Sequence, residues 1–156
     1  MSSRKLEDCS VMMQACLAEF EAQLRGNHIE FVRACTYRSD REQAELFAQG
    51  RTKPGRIVTH ASAGQSMHND NHGGHPASNA ADYYPIDHGK LMDNKTDTEL
   101  AVWNRLGEIA EACGLEWGGR WKAPKTDMPH VQLNRAAYLK SLGPTNKLFD
   151  MNDPRN

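Results

Sequence analysis

The stretch HASAGQSMHNDNHGGHPASNAADYY, residues 60–84, leads from a long irregular region into a short apolar segment. Residues 51–79 are rich in Gly, Ser, His, Asn and Pro and show no sustained periodicity, so we predict a loop with short strands. A loop of this length inside a compact domain usually has a function. Residues 80–84 predict a short strand that Pro85 ends.

Helical and strand patterns flank this region on both sides. Apolar residues recur every three or four positions, at Met13, Leu17, Phe20 and Leu24 in residues 6–24 and at Val102, Leu106, Ile109 and Cys113 in residues 98–113. A capping box, Ser39-x-x-Glu42, predicts a third helix that continues to Gln49. Short strands are predicted at residues 29–35, 115–117 and 130–133. The mixture predicts an α+β domain with a small antiparallel sheet and flanking helices.

Length and composition limit the classes of function. The 156 residues fit one domain, which we place at residues 1–142, followed by a tail at residues 143–156 that has no pattern. With 19 basic and 20 acidic residues there is no strongly basic face, so a nucleic-acid partner is not expected. Acidic residues interrupt the first twenty positions. We therefore expect no signal peptide, no membrane insertion and synthesis in the cytoplasm, where the four cysteines stay free thiols.

Histidines and carboxylates concentrate in the irregular region. Four of the seven histidines lie within residues 60–75. Imidazoles and carboxylates together suit zinc, and three protein ligands plus a water make a catalytic site. The candidate ligands in the loop and the strand after it are His68, His72, His75, Asp70 and Asp82. Further along, Asp127-x-x-His130 would place a carboxylate beside a histidine ligand, where it can move protons.

Several of these motifs together resemble a known family. They are YRS at residues 37–39, EQAELFAQGRTKPGRIVTHASAGQSMHN at 42–69, AAD at 80–82 and DMPH at 127–130. In this order they resemble the L-alanyl-D-glutamate peptidases, which are grouped with the D-alanyl-D-alanine carboxypeptidases and include many phage endolysins. The resemblance runs from about residue 35 to 133. It implies a zinc site in a cleft of an α+β domain.

The resemblance also implies roles for five residues. Zinc would be held by His68, Asp82 and His130, Asp127 would serve as general base and acid, and Arg38 would stabilise negative charge on the substrate carbonyl. The implied substrate is the stem peptide of peptidoglycan, cut at the L-Ala–D-Glu bond. The implied setting is a monomeric phage endolysin, made in the host cytoplasm and acting on the cell wall after release by a holin.

Two departures from the family pattern leave alternatives open. Thirteen residues separate His68 from Asp82, where most relatives have a much shorter spacing, and Ser78 replaces the usual Gly. Because His75 lies seven positions before Asp82, His75 is an alternative ligand to His68, and the inserted segment between His72 and His75 has no assigned role. Many relatives carry an acidic residue where Arg120 stands.

Function and supporting residues also have alternatives. The same site would serve a D-Ala-D-Ala carboxypeptidase or dipeptidase, and a non-catalytic wall-binding protein could keep zinc for stability. Ser66 either orients the loop or is a plain turn residue, and His60 is interpreted as a loop residue. Four aromatic residues either line the cleft or pack in the core: Tyr83, Tyr84, Trp117 and Trp121.

Overall fold

A computed structural model of the protein describes residues 2–141. The helices are α1 (Val11–Gly26), α2 (Asp40–Ala48), α3 (Asp97–Ala112) and α4 (Arg135–Ser141). The strands are β1 (Phe31–Cys35), β2 (Asn71–His72), β3 (His75–Pro76), β4 (Ala80–Asp87), β5 (Lys90–Leu91), β6 (Leu115–Trp117) and β7 (His130–Leu133). The predicted α+β fold with a small antiparallel sheet is confirmed. The tail at 143–156 lies outside the described residues, and the domain limit at 142 stays a prediction.

Side-chain caps set where the long helices begin. Ser10 accepts a hydrogen bond from the Met13 N–H at 3.2 Å, so α1 begins at Val11, and residues 6–8 form a separate 3₁₀ turn. The predicted capping box of Ser39 and Glu42 is present at α2. An analogous box, formed by Thr96 and Glu99, starts α3 one residue earlier than its apolar stripe predicted.

The main sheet runs in the order β1-β4-β7-β6, with all pairs antiparallel and β5 added to β4. The central strand β4 lies between β1 and β7. Its Asp82 is the register partner of Cys35 on one side and of His130 on the other. One row across the sheet therefore places two predicted metal ligands on adjacent strands.

The prediction that Pro85 ends this strand is wrong, because β4 continues to Asp87. Pro85 is the partner of Phe31, and the hydrogen bond to the neighbouring strand is donated one residue later, by Ile86 N–H to the Glu30 carbonyl at 2.9 Å. The missing N–H of Pro85 thus faces away from β1, on the side where β5 adds to β4, and removes no hydrogen bond from the β1–β4 ladder.

Helices α1 and α3 pack over one face of the sheet. The core contains residues from both predicted apolar stripes together with sheet residues, including Met13, Leu17, Phe20, Leu24, Tyr83, Leu106, Trp117 and Val131. Tyr83 and Trp117 are thus core residues and not cleft residues. Within the described part of the chain, no helix is both long and apolar enough to cross a bilayer.

The segment between His68 and Asp82 is a small hairpin with a closed base. Strands β2 and β3 pair around Gly73 and Gly74, whose φ angles of 57° and 83° suit a tight turn that few other residues adopt. At its base the Ala77 N–H donates to the Asp70 carbonyl at 3.0 Å, and the Asn79 side-chain amide donates to the Asp70 carboxylate at 2.9 Å. The hydrogen bonds to Asp70 therefore keep the two ends of the hairpin next to each other.

Candidate functional site

His68 lies on a 3₁₀ turn, Met67–Asn69, and is almost fully buried. The Ser66 hydroxyl accepts a hydrogen bond from the His68 N–H at 3.3 Å and so caps this turn. The ring Nδ1 lies 2.6 Å from the Thr36 carbonyl oxygen, which can only accept a hydrogen bond. Nδ1 therefore carries the proton, and Nε2 is the atom left with a free lone pair for a metal.

The side chains of His68, Asp82 and His130 converge at one point. His68 Nε2 lies 3.3 Å from His130 Nδ1 and 3.3 Å from Asp82 Oδ1, and His130 Nδ1 lies 3.5 Å from the same oxygen. Asp82 and His130 are fixed by the strand ladder, whereas His68 is brought to them by the loop before the hairpin. The three donor atoms form a nearly equilateral triangle.

This triangle fits a zinc ion. With bond lengths of about 2.0–2.1 Å, a tetrahedral zinc site separates neighbouring ligand atoms by roughly 3.3 Å. The donor set of two imidazole nitrogens and one carboxylate oxygen is also one that zinc takes in catalytic sites with an open fourth position. The fit supports the predicted ligands His68, Asp82 and His130, whose role in metal binding stays a prediction.

Charge in this cluster shifts the pKa of its members. Burial raises the pKa of the Asp82 carboxyl, but the adjacent His68 and His130 lower it more, and the net pKa lies well below its usual range. Burial lowers the pKa of His68, while the Asp82 carboxylate raises it more, so the net pKa is above its usual value. Without a metal, the cluster therefore retains a proton between its facing acceptor atoms.

Arg38 lies beside the same carboxylate. Its NH2 group is 3.4 Å from Asp82 Oδ2, the oxygen that does not face the two histidines, and its NH1 group donates to Gln43 at 2.8 Å. The amide of Gln43 in turn donates to the Ala61 carbonyl at 2.7 Å, so α2 and the following loop anchor the guanidinium. Arg38 also lines the cleft that contains the histidines.

Asp127 is held on the tight turn that leads into β7. Its carbonyl accepts from the His130 N–H at 3.2 Å, and its own N–H donates to the Gly118 carbonyl at 3.0 Å. Partial burial, followed by the negative charge of Asp82, raises the pKa of the Asp127 carboxyl although its side chain is open to solvent at the cleft. A raised pKa makes this carboxyl a better proton acceptor than an ordinary aspartate.

The cleft around these residues has a volume of about 740 Å³. Its floor is formed by the histidines and Asp82. Residues 57–61 line it on one segment, and Trp121 and residues 124–127 line it on another. Of the four aromatic residues with two alternatives, Tyr84 and Trp121 line the cleft. His60 and Ser66 also line it, the first on a wall and the second through its cap on the His68 turn.

The remaining histidine candidates lie away from the cluster. His72 and His75 face each other across the β2–β3 hairpin, and both are exposed. Asp70 binds the base of that hairpin through Asn79. The geometry therefore favours His68 over His75 as the ligand, and the inserted segment contributes no side chain to the triangle.

Cys35 is a further potential ligand in the vicinity, since it lies close to His68 and Asp82. Its sulfur is 3.8 Å from His68 Nδ1 and 3.7 Å from the Arg38 guanidinium. Because Nδ1 is already bound to the Thr36 carbonyl, Cys35 is on the other side of the imidazole from the one that meets His130. We therefore leave Cys35 out of the metal triangle.

Sequence reasoning missed two polar residues behind His130. The free ring nitrogen of His130, Nε2, lies 3.0 Å from Gln132 Oε1. The Gln132 amide then donates to Glu116 at 3.3 Å, and Glu116 also accepts from the Trp121 indole at 2.6 Å. The only signal was the alternation in β7, which places Gln132 on the same side of the strand as His130.

Part of the chain is similar to known proteins. A protein-family model described as D-alanyl-D-alanine carboxypeptidase matches residues 59–133. The peptidoglycan L-alanyl-D-glutamate endopeptidase CwlK of Bacillus subtilis (strain 168) is 39% identical over 100 residues, which are 62% of this chain. The chain spans 56% of the length of that relative.

Two solved structures share the fold. A mutant of the vancomycin-resistance D,D-pentapeptidase VanY, in complex with Zn(II), has a TM-score of 0.58 at 13% identity, covering 85% of this chain and 76% of its own. VanYB in complex with D-alanine-D-alanine has a TM-score of 0.53 at 15% identity, covering 84% of this chain and 77% of its own. Residues 59–133, which contain His68, Asp82, Asp127 and His130, are thus similar to the D-alanyl-D-alanine carboxypeptidase family, and the chain shares its fold with the two VanY structures.

Proposed function

We propose that the protein is a zinc-dependent endopeptidase that cuts the L-Ala–D-Glu bond in the stem peptide of peptidoglycan. One observation carries the proposal: three donor atoms, 3.3–3.5 Å apart, face one cleft that Asp127 and Arg38 also line. The choice of bond rests on the similarity to CwlK, which is named as an L-alanyl-D-glutamate endopeptidase.

The residues around the triangle supply distinct parts of the proposed hydrolysis. His68, Asp82 and His130 would hold the zinc ion, which would supply Lewis acidity and, as in well-characterised sites, lower the pKa of bound water to about 7. Asp127 takes the proton from the attacking water and returns it to the departing amine. Arg38 offers its guanidinium to the negative charge that develops on the scissile carbonyl oxygen.

The position of Arg38 suits this role. Its ion pair with Asp82 and its hydrogen bond to Gln43 fix the guanidinium before substrate arrives. Its Nε is buried and has no hydrogen-bond partner within the described chain. A fixed, incompletely satisfied donor group beside the cleft stabilises developing charge with little reorganisation.

Digestion of purified peptidoglycan and of synthetic stem peptides, followed by mass spectrometry, tests the proposed bond. Cleavage at L-Ala–D-Glu leaves L-Ala on the sugar and releases peptides that begin with D-Glu. The matched control is Asp127→Asn, which has nearly the same size and cannot accept the proton. Release of terminal D-Ala alone would contradict the endopeptidase proposal.

That second outcome would support a D-Ala-D-Ala carboxypeptidase or dipeptidase, the alternative that the description of the matching family model favours. Wild-type protein that binds zinc and peptidoglycan but releases no product would support a non-catalytic wall-binding protein instead. The three outcomes differ in the products formed, so one digestion experiment separates them.

We also propose that the protein is a monomeric phage endolysin, made in the host cytoplasm and released to the wall by a holin. This part rests on the resemblance of the sequence motifs to endolysins. Expression in a bacterial cytoplasm with and without a co-expressed holin tests it. Lysis that requires the holin supports the proposal, whereas intact cells in the presence of a working holin contradict it.

A further inference from the structure

A ring of contacts closes behind His130, on the side of the imidazole away from the metal triangle. His130 contacts Gln132, Gln132 contacts Glu116, Glu116 contacts Trp121, and the Trp121 indole packs back against the His130 ring, with centroids 5.0 Å apart. Four side chains, one from β6, two from β7 and one from the segment that follows β6, are therefore linked in one circuit.

The hydrogen bonds of this circuit have a single direction. If Nδ1 of His130 faces the metal, Nε2 carries the proton and donates to Gln132 Oε1 at 3.0 Å. The other end of the Gln132 amide is a donor and meets Glu116 Oε2 at 3.3 Å. The chain of donors thus ends on a carboxylate, which accepts only.

Glu116 has a second partner at the other oxygen. The Trp121 indole N–H donates to Glu116 Oε1 at 2.6 Å, so both carboxylate oxygens are engaged. Trp121 and Gln132 both line the cleft, whereas Glu116 lies behind them. The carboxylate therefore fixes one side chain that orients His130 and another that packs on its face.

The second histidine is oriented in a different way. His68 donates to a backbone carbonyl, that of Thr36, which no substitution can remove. His130 depends on side chains alone. A substitution in another side chain can therefore change the orientation of the His130 ring, and with it the geometry of the metal triangle.

We propose that Glu116 is a positioning residue for the metal centre, acting on His130 through Gln132 and through Trp121. This inference rests on the zinc site of the proposed function. A partner of this kind fixes the ring orientation and raises the basicity of the ligand, and its loss typically lowers metal affinity or activity about 10–100-fold.

The variant Glu116→Gln tests the proposal with almost no change in size. An amide has one acceptor end and one donor end, while both partners of Glu116 present N–H groups. One of the two contacts must therefore become a clash between donors. We expect zinc affinity, measured by competition with a chromogenic chelator, to fall at least tenfold. We also expect the indole N–H resonance of Trp121 to shift in a ¹⁵N-correlated NMR spectrum.

Glu111→Gln is the matched control. Glu111 accepts two hydrogen bonds from Arg120, at 3.0 and 3.1 Å, and has no contact with the circuit. The Glu111→Gln variant loses the same negative charge, but from helix α3 and not from β6. We therefore expect its zinc affinity to equal that of the wild type. Equal loss of affinity in both variants, or wild-type affinity in Glu116→Gln, would overturn the proposal.

Gln132→Met keeps the inference testable if Glu116→Gln does not fold. It removes the partner of His130 at the cleft surface while leaving Glu116 bound to Trp121. We expect weaker zinc binding and an altered visible spectrum of the Co(II)-loaded protein, with an unchanged melting temperature. Wild-type zinc affinity in this variant would also overturn the proposal. If the wild type itself binds no zinc, the proposed function fails instead.

Discussion

Gly118 packs closely against the turn that contains Asp127. Its replacement by Ala tests whether the proposed catalysis depends on the exact position of that turn. A Cβ at this position would lie 2.5 Å from the Asp127 carbonyl oxygen and 3.1 Å from His130 Cβ. The first distance is 0.9 Å short of an ordinary van der Waals contact at 3.4 Å. Because the obstacle is backbone, the turn itself must move.

The size of the effect follows from that displacement. Overpacking of this kind costs typically about 1–3 kcal/mol in the free energy of unfolding. A misplacement of about 1 Å in a catalytic group lowers activity roughly 100-fold. His130 needs to yield only a few tenths of an ångström, so we expect Gly118→Ala to keep zinc while losing most of its kcat/KM.

The assay is kcat/KM on a stem peptide, with zinc content and melting temperature measured on the same samples. The control is Gly26→Ala at the end of α1, where an added Cβ meets nothing within 4 Å, and which should leave all three quantities close to those of the wild type. A Gly118→Ala enzyme with kcat/KM within a factor of two of the wild type would refute the role given to this contact.

Three other predictions follow from the site. Asp127→Asn should bind zinc normally and lose about 10²–10⁴-fold in kcat, as measured by single-turnover hydrolysis; wild-type turnover would exclude Asp127 as the base. His68→Ala should lose stoichiometric zinc in elemental analysis while His75→Ala retains it, and the reverse result would make His75 the ligand. Because the pKa of His68 is raised in the metal-free protein, zinc must displace a proton, so zinc affinity should fall roughly tenfold per pH unit on acidification. Calorimetry in buffers of different ionisation enthalpy measures that proton, and a pH-independent affinity would contradict the assigned cluster.

The helices were the part of the fold that the sequence predicted best. Apolar spacing and capping boxes are local signals, and α2 begins at the predicted residue, Asp40. The continuation of β4 past Pro85 was missed, because it depends on which neighbouring strand the nitrogen of Pro85 faces. No pattern within residues 80–87 contains that information.

The site shows the same division between local and non-local information. The motifs pointed to His68, Asp82 and His130 one by one, but only the sheet register and the loop bring their donor atoms together. Glu116 was missed because its partners, Gln132 and Trp121, lie on other segments. The sequence could not separate core from cleft aromatics either, since Tyr83 and Tyr84 alternate on one strand and face opposite sides.

Because its base is closed, the β2–β3 hairpin is a suitable site for inserting additional residues. Hydrogen bonds from Ala77 and Asn79 to Asp70 clamp its two ends, so a change in length beyond the clamp transmits no displacement to the residues on either side. A change in the number of residues between His68 and Asp82 should therefore leave the triangle in place. We therefore expect the protein to tolerate an epitope tag or a foreign targeting peptide inserted between Gly73 and Gly74, with zinc binding and the proposed hydrolysis unchanged.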